Sequence, residues 1–183
     1  LHPQEPSAPV KLMGVLNIND DSFYAKSRCR GSAAIEQIER MIEEGADIID
    51  VGAVSSRPGS EPVSEQEELA RLEGVLEMIA QQQLHERVRF SLDTHRPAVA
   101  QRALDAGFSL INDITGLSDA AMAPLAARYG AGVVIMHMQG QPQTMQESPS
   151  YDSVIGEVAA FLAERLRWAE EAGVEELVLD VCV

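Results

Sequence analysis

Apolar residues along this chain alternate between two textures. Short runs rich in Val, Ile and Leu occupy residues 12–17, 46–51, 88–93, 109–113, 132–137 and 176–180. Between them, over 33–44, 64–82, 97–106, 119–129 and 152–172, apolar positions recur every three or four residues. The first texture predicts buried strands and the second amphipathic helices. The last helix shows the period well, in Val154, Val158, Phe161, Leu162, Arg165 and Trp168. Ser64 with Glu67 resembles a capping box at the head of the second helix. Gly45, Gly107, Gly130 and Gly173 each follow a helical stretch, where a glycine closes the last turn. This is a regular βα repeat, and it implies a parallel sheet.

Two α/β folds fit the repeat, an open doubly wound sheet and a (β/α)8 barrel. Polar residues end nearly every strand: Asn17, Asp50 with Ser55 to Arg57 behind it, Asp93, Asn112 and Asp113, His137, and Asp180. An open sheet concentrates its site at one switch point, whereas a barrel gathers polar groups from many strand ends onto one mouth. The distribution predicts the TIM barrel. About six βα units are present at roughly 28 residues each, and two more would bring the total to about 240, near the usual ~250 residues. The expected division is an N-terminal extension over 1–11 and an incomplete barrel over 12–183, with exposed sheet edges.

Composition narrows the partners. With 183 residues and 45% apolar content, one domain with a real core is expected. No run approaches the ~18–20 apolar residues that cross a bilayer, and no secretory pattern opens the chain. Two cysteines are too few for a disulfide framework or zinc site, which points to a reducing cytoplasm. Fourteen basic against 29 acidic residues leave a net charge of −15, so nucleic acid and anionic membrane are not expected as partners. An anionic substrate would then need local cations, and Arg57 and a divalent metal are the candidates.

Five constellations carry candidate chemistry. In M-G-V-L-N-I-N-D-D-S-F, residues 13–23, Asn17 offers a hard oxygen suited to Mg²⁺, although the same residues also make a capped turn. In G-A-D-I-I-D-V-G-A-V-S-S-R-P-G, residues 45–59, Ser55, Ser56 and Arg57 supply donors for phosphate or carboxylate; an ordinary surface loop is the plainer alternative. Asp93 and Asn112, at adjacent strand ends, can share one heterocyclic ligand, or pair internally. His137 closes a strand and reads as a hydrogen-bonded structural residue. Met136 and Met138 flank it as apolar fillers, of which only one is expected to face the interior. Asp180 closes the sixth strand. No nucleophilic triad or phosphate-binding glycine loop is present. The residues alone thus lead to a barrel binding a polar, anionic small molecule.

The quoted motifs closely resemble those of dihydropteroate synthases. M-G-V-L-N-I-N-D-D-S-F is similar to the family's first signature, and I-I-D-V-G-A-V-S-S-R-P-G-S-E-P-V to its second. M-H-M-Q-G-Q-P-Q-T-M-Q-E-S-P-S-Y is similar to the segment after the fifth strand. The resemblance runs from about Leu12 to Asp180 and implies an enzyme of folate synthesis. It would join 7,8-dihydropterin-6-ylmethyl diphosphate to 4-aminobenzoate, releasing diphosphate with the help of Mg²⁺. It further implies that Asn17 ligands Mg²⁺ and that Ser56 and Arg57 contact substrate from a loop. Asp93, Asn112 and Asp180 would bond the pterin edge, with Met138 nearby. It also allows a homodimer.

The chain departs from the family's pattern at Asn19-Asp20, at Ala53-Val54, at Ser56 in place of Thr, and in F-Y-A-K-S-R after the first signature. The usual Asp-Pro-Gly tract is replaced by Asp180-Val181-Cys182-Val183, and the later motifs with Lys, Arg and His do not follow. Little activity is therefore expected of this chain alone. Two other readings fit the same motifs, a non-catalytic pterin-binding remnant and the pterin-binding domain of a corrinoid-dependent methyltransferase. The M-H-M-Q-G-Q-P-Q-T-M-Q stretch and the Arg-Pro-Gly loop favour the synthase over the latter.

Overall fold

A computed structural model of the chain describes residues 10–18, 27–54, 62–140 and 149–181, with the backbone alone for 27–32. Strands β1 (Met13–Asn17), β2 (Ile48–Gly52), β3 (Arg89–Asp93), β4 (Leu110–Asp113), β5 (Gly132–Met136) and β6 (Leu177–Asp180) alternate with five helices. These are α1 (Ser27–Glu43), α2 (Glu65–Gln81), α3 (Pro97–Asp105), α4 (Met122–Tyr129) and α5 (Val154–Glu171), with a 3₁₀ turn at Leu84–Glu86. All neighbouring strands are parallel, in the order β1-β2-β3-β4-β5-β6. A doubly wound sheet must reverse its strand order at a switch point, and this sheet does not. The strands are consecutive staves of a (β/α) barrel, as the polar strand ends predicted.

Strand periodicity sorts the two faces. Leu16, Ile49, Val51, Phe90, Leu92, Ile111, Val133 and Ile135 point toward the helices and are buried in the main core clusters with Ile38, Leu72, Leu76, Ile79, Val99 and Met122. Residues of the other parity line the interior, where Ile48, Leu110 and Val134 form a smaller apolar floor. The outer strands lack cover on this side: Val15 of β1 is 55% exposed and Val178 of β6 is 46% exposed. Beneath the floor, the Arg89 guanidinium donates to both Glu176 oxygens at 2.6 and 2.7 Å and to the Ser109 carbonyl, tying β3 to the entry of β6.

Helix ends follow the local chemistry with instructive exceptions. Ser64 Oγ accepts the Glu67 N–H at 3.2 Å, but Glu67 turns its carboxylate to Arg71 at 2.7 Å, so only half of the expected capping box forms. Ser153 heads α5 in a reciprocal arrangement, accepting from Gly156 N while its own N–H donates to Glu157. All four glycines placed after helices adopt positive φ. Helix α1 starts at Ser27, ahead of the predicted 33, because its opening S-R-C-R-G-S has no apolar period to read. Helix α4 starts at Met122 instead of 119: the Asp119 carboxylate takes the Ala121 N–H at 2.9 Å and makes a turn. In α5, Val158 and Leu162 are buried as predicted, while Val154 and Trp168 at the ends of the stripe are 45% and 46% exposed. Val154 joins Ile155, Leu162, Leu166, Leu179 and Val181 in an apolar groove beside the outer strand β6.

Candidate functional site

The carboxyl ends of the strands bring the site together by register alone. Asn17 pairs with Gly52, Gly52 with Asp93, and Asp93 with Asn112, so these four residues form one row across β1 to β4 on the interior face. Two residues deeper lies a second row, Val15, Asp50, Ser91 and Leu110. Asp180 aligns with Met136, two residues beyond the Val134–Val178 pair that continues the first row, and keeps the same interior parity. Gly52 leaves the gap that makes the first row a concavity. A Cβ there would lie 3.4 Å from Asp93 Oδ2 and 3.7 Å from Asn17 Oδ1.

Burial and charge set the electrostatics. Asp93 has few favourable neighbours: burial raises its pKa first, and the nearby carboxylates of Asp50, Glu68 and Asp113 add to this, pushing it up to about 7. Asp93 therefore stands near its titration midpoint at neutral pH, able to accept a hydrogen bond or to donate one. Asp50 is 5% exposed and is also raised by burial, with its register neighbour Ser91 and the Asn112 amide pulling the other way. Asn112 Nδ2 donates to Asp50 Oδ2 at 2.9 Å. Asp50 Oδ1 and Ser91 Oγ are buried short of full hydrogen-bond geometry, although the Ser91 hydroxyl lies near enough to favour the charged form of Asp50. Two acids, one in each row of a polar mouth, are suited to a ligand rich in N–H donors.

The other sequence candidates fall into distinct places. Asp50 does not end its strand: β2 runs on to Gly52, and the carboxylate sits deep in the second row. Asp113 has the opposite parity from Asn112 and builds the following loop, accepting from Thr115 N, Thr115 Oγ1 and Leu117 N. That loop holds Leu117 at φ 60°, a strained conformation for a non-glycine residue. His137 is buried, sets its ring edge-on to Phe161 at 5.2 Å, and donates its backbone N–H to the Asp180 carbonyl, a structural place. Strand alternation does not separate Met136 from Met138 as expected, because residues two apart share a face; Met136 ends β5 and half-buried Met138 lies just beyond it. Ser56 and Arg57 lie outside the described residues, as do Asn19, Asp20 and the tail of the M-H-M-Q-G-Q motif.

Sequence reasoning missed the group behind the mouth. Glu68 of α2 is 1% exposed and accepts from Thr94 Oγ1 at 2.7 Å and from the Arg96 guanidinium, which also donates to the Val63 carbonyl. Arg71 donates to the carbonyl of Ala53 at 3.0 Å. Together these contacts anchor both flanks of the segment that follows β2 and the turn after β3. The available signal was a glutamate on the apolar side of a helix, four residues before Leu72.

No trio of His, Cys, Asp and Glu among the described residues is arranged to hold a metal. No helix among them is long and apolar enough to cross a membrane.

Residues 13–183 match the family described as pterin binding enzyme. The chain is 42% identical to the dihydropteroate synthase of Escherichia coli strain K12 over 172 residues, 92% of this chain and 60% of the relative. It superposes with a TM-score of 0.81 on the Yersinia pestis dihydropteroate synthase crystallised in a sulfonamide complex, at 39% identity over 92% of this chain and 62% of that one. The Burkholderia cenocepacia dihydropteroate synthase, complexed with 7,8-dihydropteroate, gives 0.76 at 38% identity, covering 92% and 57%. The chain thus spans under two thirds of the length of each of these relatives.

Proposed function

The chain belongs to the pterin-binding enzyme family, and from that premise we propose that it forms the pterin-binding part of a dihydropteroate synthase. The reaction joins 4-aminobenzoate to 7,8-dihydropterin-6-ylmethyl diphosphate: the amine nitrogen bonds to the methylene carbon, the C–O bond to diphosphate breaks, and the amine gives up a proton. The observation that carries the reading is the single row Asn17–Gly52–Asp93–Asn112, with Asp180 on the same face. Asp93, Asn112 and Asp180 bind the donor edge of the pterin, the Gly52 gap admits the ring, and Met138 packs beside it. Ser56 and Arg57 follow β2 in sequence and contact the diphosphate from the loop.

Mg²⁺ fits as a partner of Asn17. The donor there is a hard amide oxygen on an exposed strand end beside the Gly52 gap, and Mg²⁺ commonly takes few protein ligands plus substrate phosphate oxygens and water. When bound it neutralises charge on the departing diphosphate, which a chain of net charge −15 otherwise repels. The reading places the protein in the cytoplasm, with small molecules as partners and a homodimer as its assembly.

Calorimetric titration of the chain with 6-hydroxymethyl-7,8-dihydropterin tests the proposal. Binding is expected, and Asp93→Ala should weaken it by about 1–3 kcal/mol through loss of a charge-assisted hydrogen bond. No binding to the folded wild-type chain, or equal affinity in a folded Asp93→Ala variant, would refute the assignment. Diphosphate-dependent binding should fall when EDTA replaces Mg²⁺, and an unchanged affinity would remove Asn17 from the metal role.

A further inference from the structure

We propose that Asp50 is a positioning residue that holds the Asn112 side chain by its Nδ2 group and turns its Oδ1 oxygen toward the mouth. The site then recognises a ligand edge built of N–H donors. The inference rests on the pterin reading for its ligand, but its structural half stands on contacts within this chain.

The geometry is asymmetric in a useful way. The Asn112 amide nitrogen donates to Asp50 Oδ2 at 2.9 Å, the arrangement in which a carboxylate oxygen serves as acceptor. That commits one of the two amide N–H groups downward and leaves Oδ1 on the opposite side of the amide. Among the described residues, Asn112 Oδ1 carries no hydrogen bond, and it sits in the upper row with Asp93. With Asp180 on the same face, the mouth presents acceptors from three strands. Without Asp50 the amide could turn over and offer N–H groups to a ligand edge that also offers N–H groups.

Asp50 is poorly explained by stability. It is a carboxylate 5% exposed in a strand whose five residues are all buried, and no Lys or Arg is within hydrogen-bond reach among the described residues. Its second oxygen is buried short of full hydrogen-bond geometry, with the Ser91 hydroxyl of the same row as the polar group near enough to favour its charged form. A buried carboxylate held this way costs free energy that an apolar residue would not. An orienting role for the amide above it accounts for a carboxylate at this position.

Exchanging the pair separates orientation from mere packing. In Asn112→Asp, two carboxylates face each other, and pterin affinity should fall roughly ten- to hundredfold. Adding Asp50→Asn reverses the direction of the hydrogen bond: the new amide donates upward, and residue 112 again shows an acceptor to the mouth. The double variant should recover to within about threefold of wild type, since both side chains keep their shape and the hydrogen bond is restored. Failure of Asp50→Asn to rescue Asn112→Asp in a folded protein would overturn the proposal. A second measurement needs no ligand. In the wild type, the Asn112 side-chain ¹H–¹⁵N pair should be shifted downfield and protected from solvent exchange, and Asp50→Ala should abolish both features. An Asn112 amide that is unshifted in the wild type, or unaltered in Asp50→Ala, would refute the orientation. If the wild-type chain binds no pterin at all, the functional reading falls, and the amide signals still decide the role of Asp50.

Discussion

Replacing Asp93 by Asn should stabilise the protein above neutral pH while damaging its site. The carboxyl is moved from 3.8 to about 7 by burial and by Asp50, Glu68 and Asp113. A group with a raised folded-state pKa contributes stability that is complete below the unfolded value and is lost as pH rises through the folded one. The window here runs from about pH 4 to pH 7, and folded Asp93 holds a proton across it that the unfolded chain has released. At about 1.4 kcal/mol per unit, the three-unit shift amounts to at most about 4 kcal/mol, with roughly 2–3 kcal/mol falling between pH 5 and pH 8. Asn keeps the shape and never ionises, so Asp93→Asn should lack this slope. Urea denaturation of both proteins at pH 5 and pH 8 measures it. The variant should gain roughly 2–3 kcal/mol over wild type on going from pH 5 to pH 8, less whatever water at the open mouth screens. Parallel stability curves for the two proteins would refute the burial argument for Asp93, and with it the claim that this carboxyl titrates near neutrality.

Three other outcomes follow from the packing. Glu68→Ala should destabilise by about 3–5 kcal/mol, because it leaves Arg96 and Thr94 without their buried acceptor; thermal denaturation indistinguishable from wild type would contradict that. Gly132→Ala should destabilise by roughly 1–3 kcal/mol as an overpacked interior, since the new Cβ would lie 2.9 Å from Glu176 Oε2 and 3.0 Å from Leu110 Cδ1. A neutral result in chemical denaturation would mean that the Arg89–Glu176 pair yields freely. Ser153→Ala should cost about 1 kcal/mol by removing the cap of α5, and Ser153→Gly only a few tenths, a ranking that urea titration can resolve.

Periodicity in the sequence determined the βα alternation, the parallel sheet and the helix-facing core, because strand and helix burial repeat at two different intervals that a single chain displays openly. The polar strand ends likewise pointed to Asn17, Asp93, Asn112 and Asp180, since a polar side chain closing an apolar run must meet water, a partner or a ligand. Other features were decided only by the tertiary structure. Asp50 reads in sequence as one more strand end; register puts it a full row beneath the mouth, against an amide 62 positions away. Asp113, adjacent to Asn112, is carried by strand alternation to the other face and becomes a loop scaffold. Glu68 stands on the apolar side of its helix, but only the packing of α2 shows that Thr94 and Arg96 are the partners it meets there. The physical reason is common to all three. Local pattern reports how often a side chain turns inward, but which charge it meets there depends on the lateral register of strands and helices far apart in sequence. The electrostatics that push Asp93 to about 7 arise from that register, through carboxylates on β2, α2 and β4.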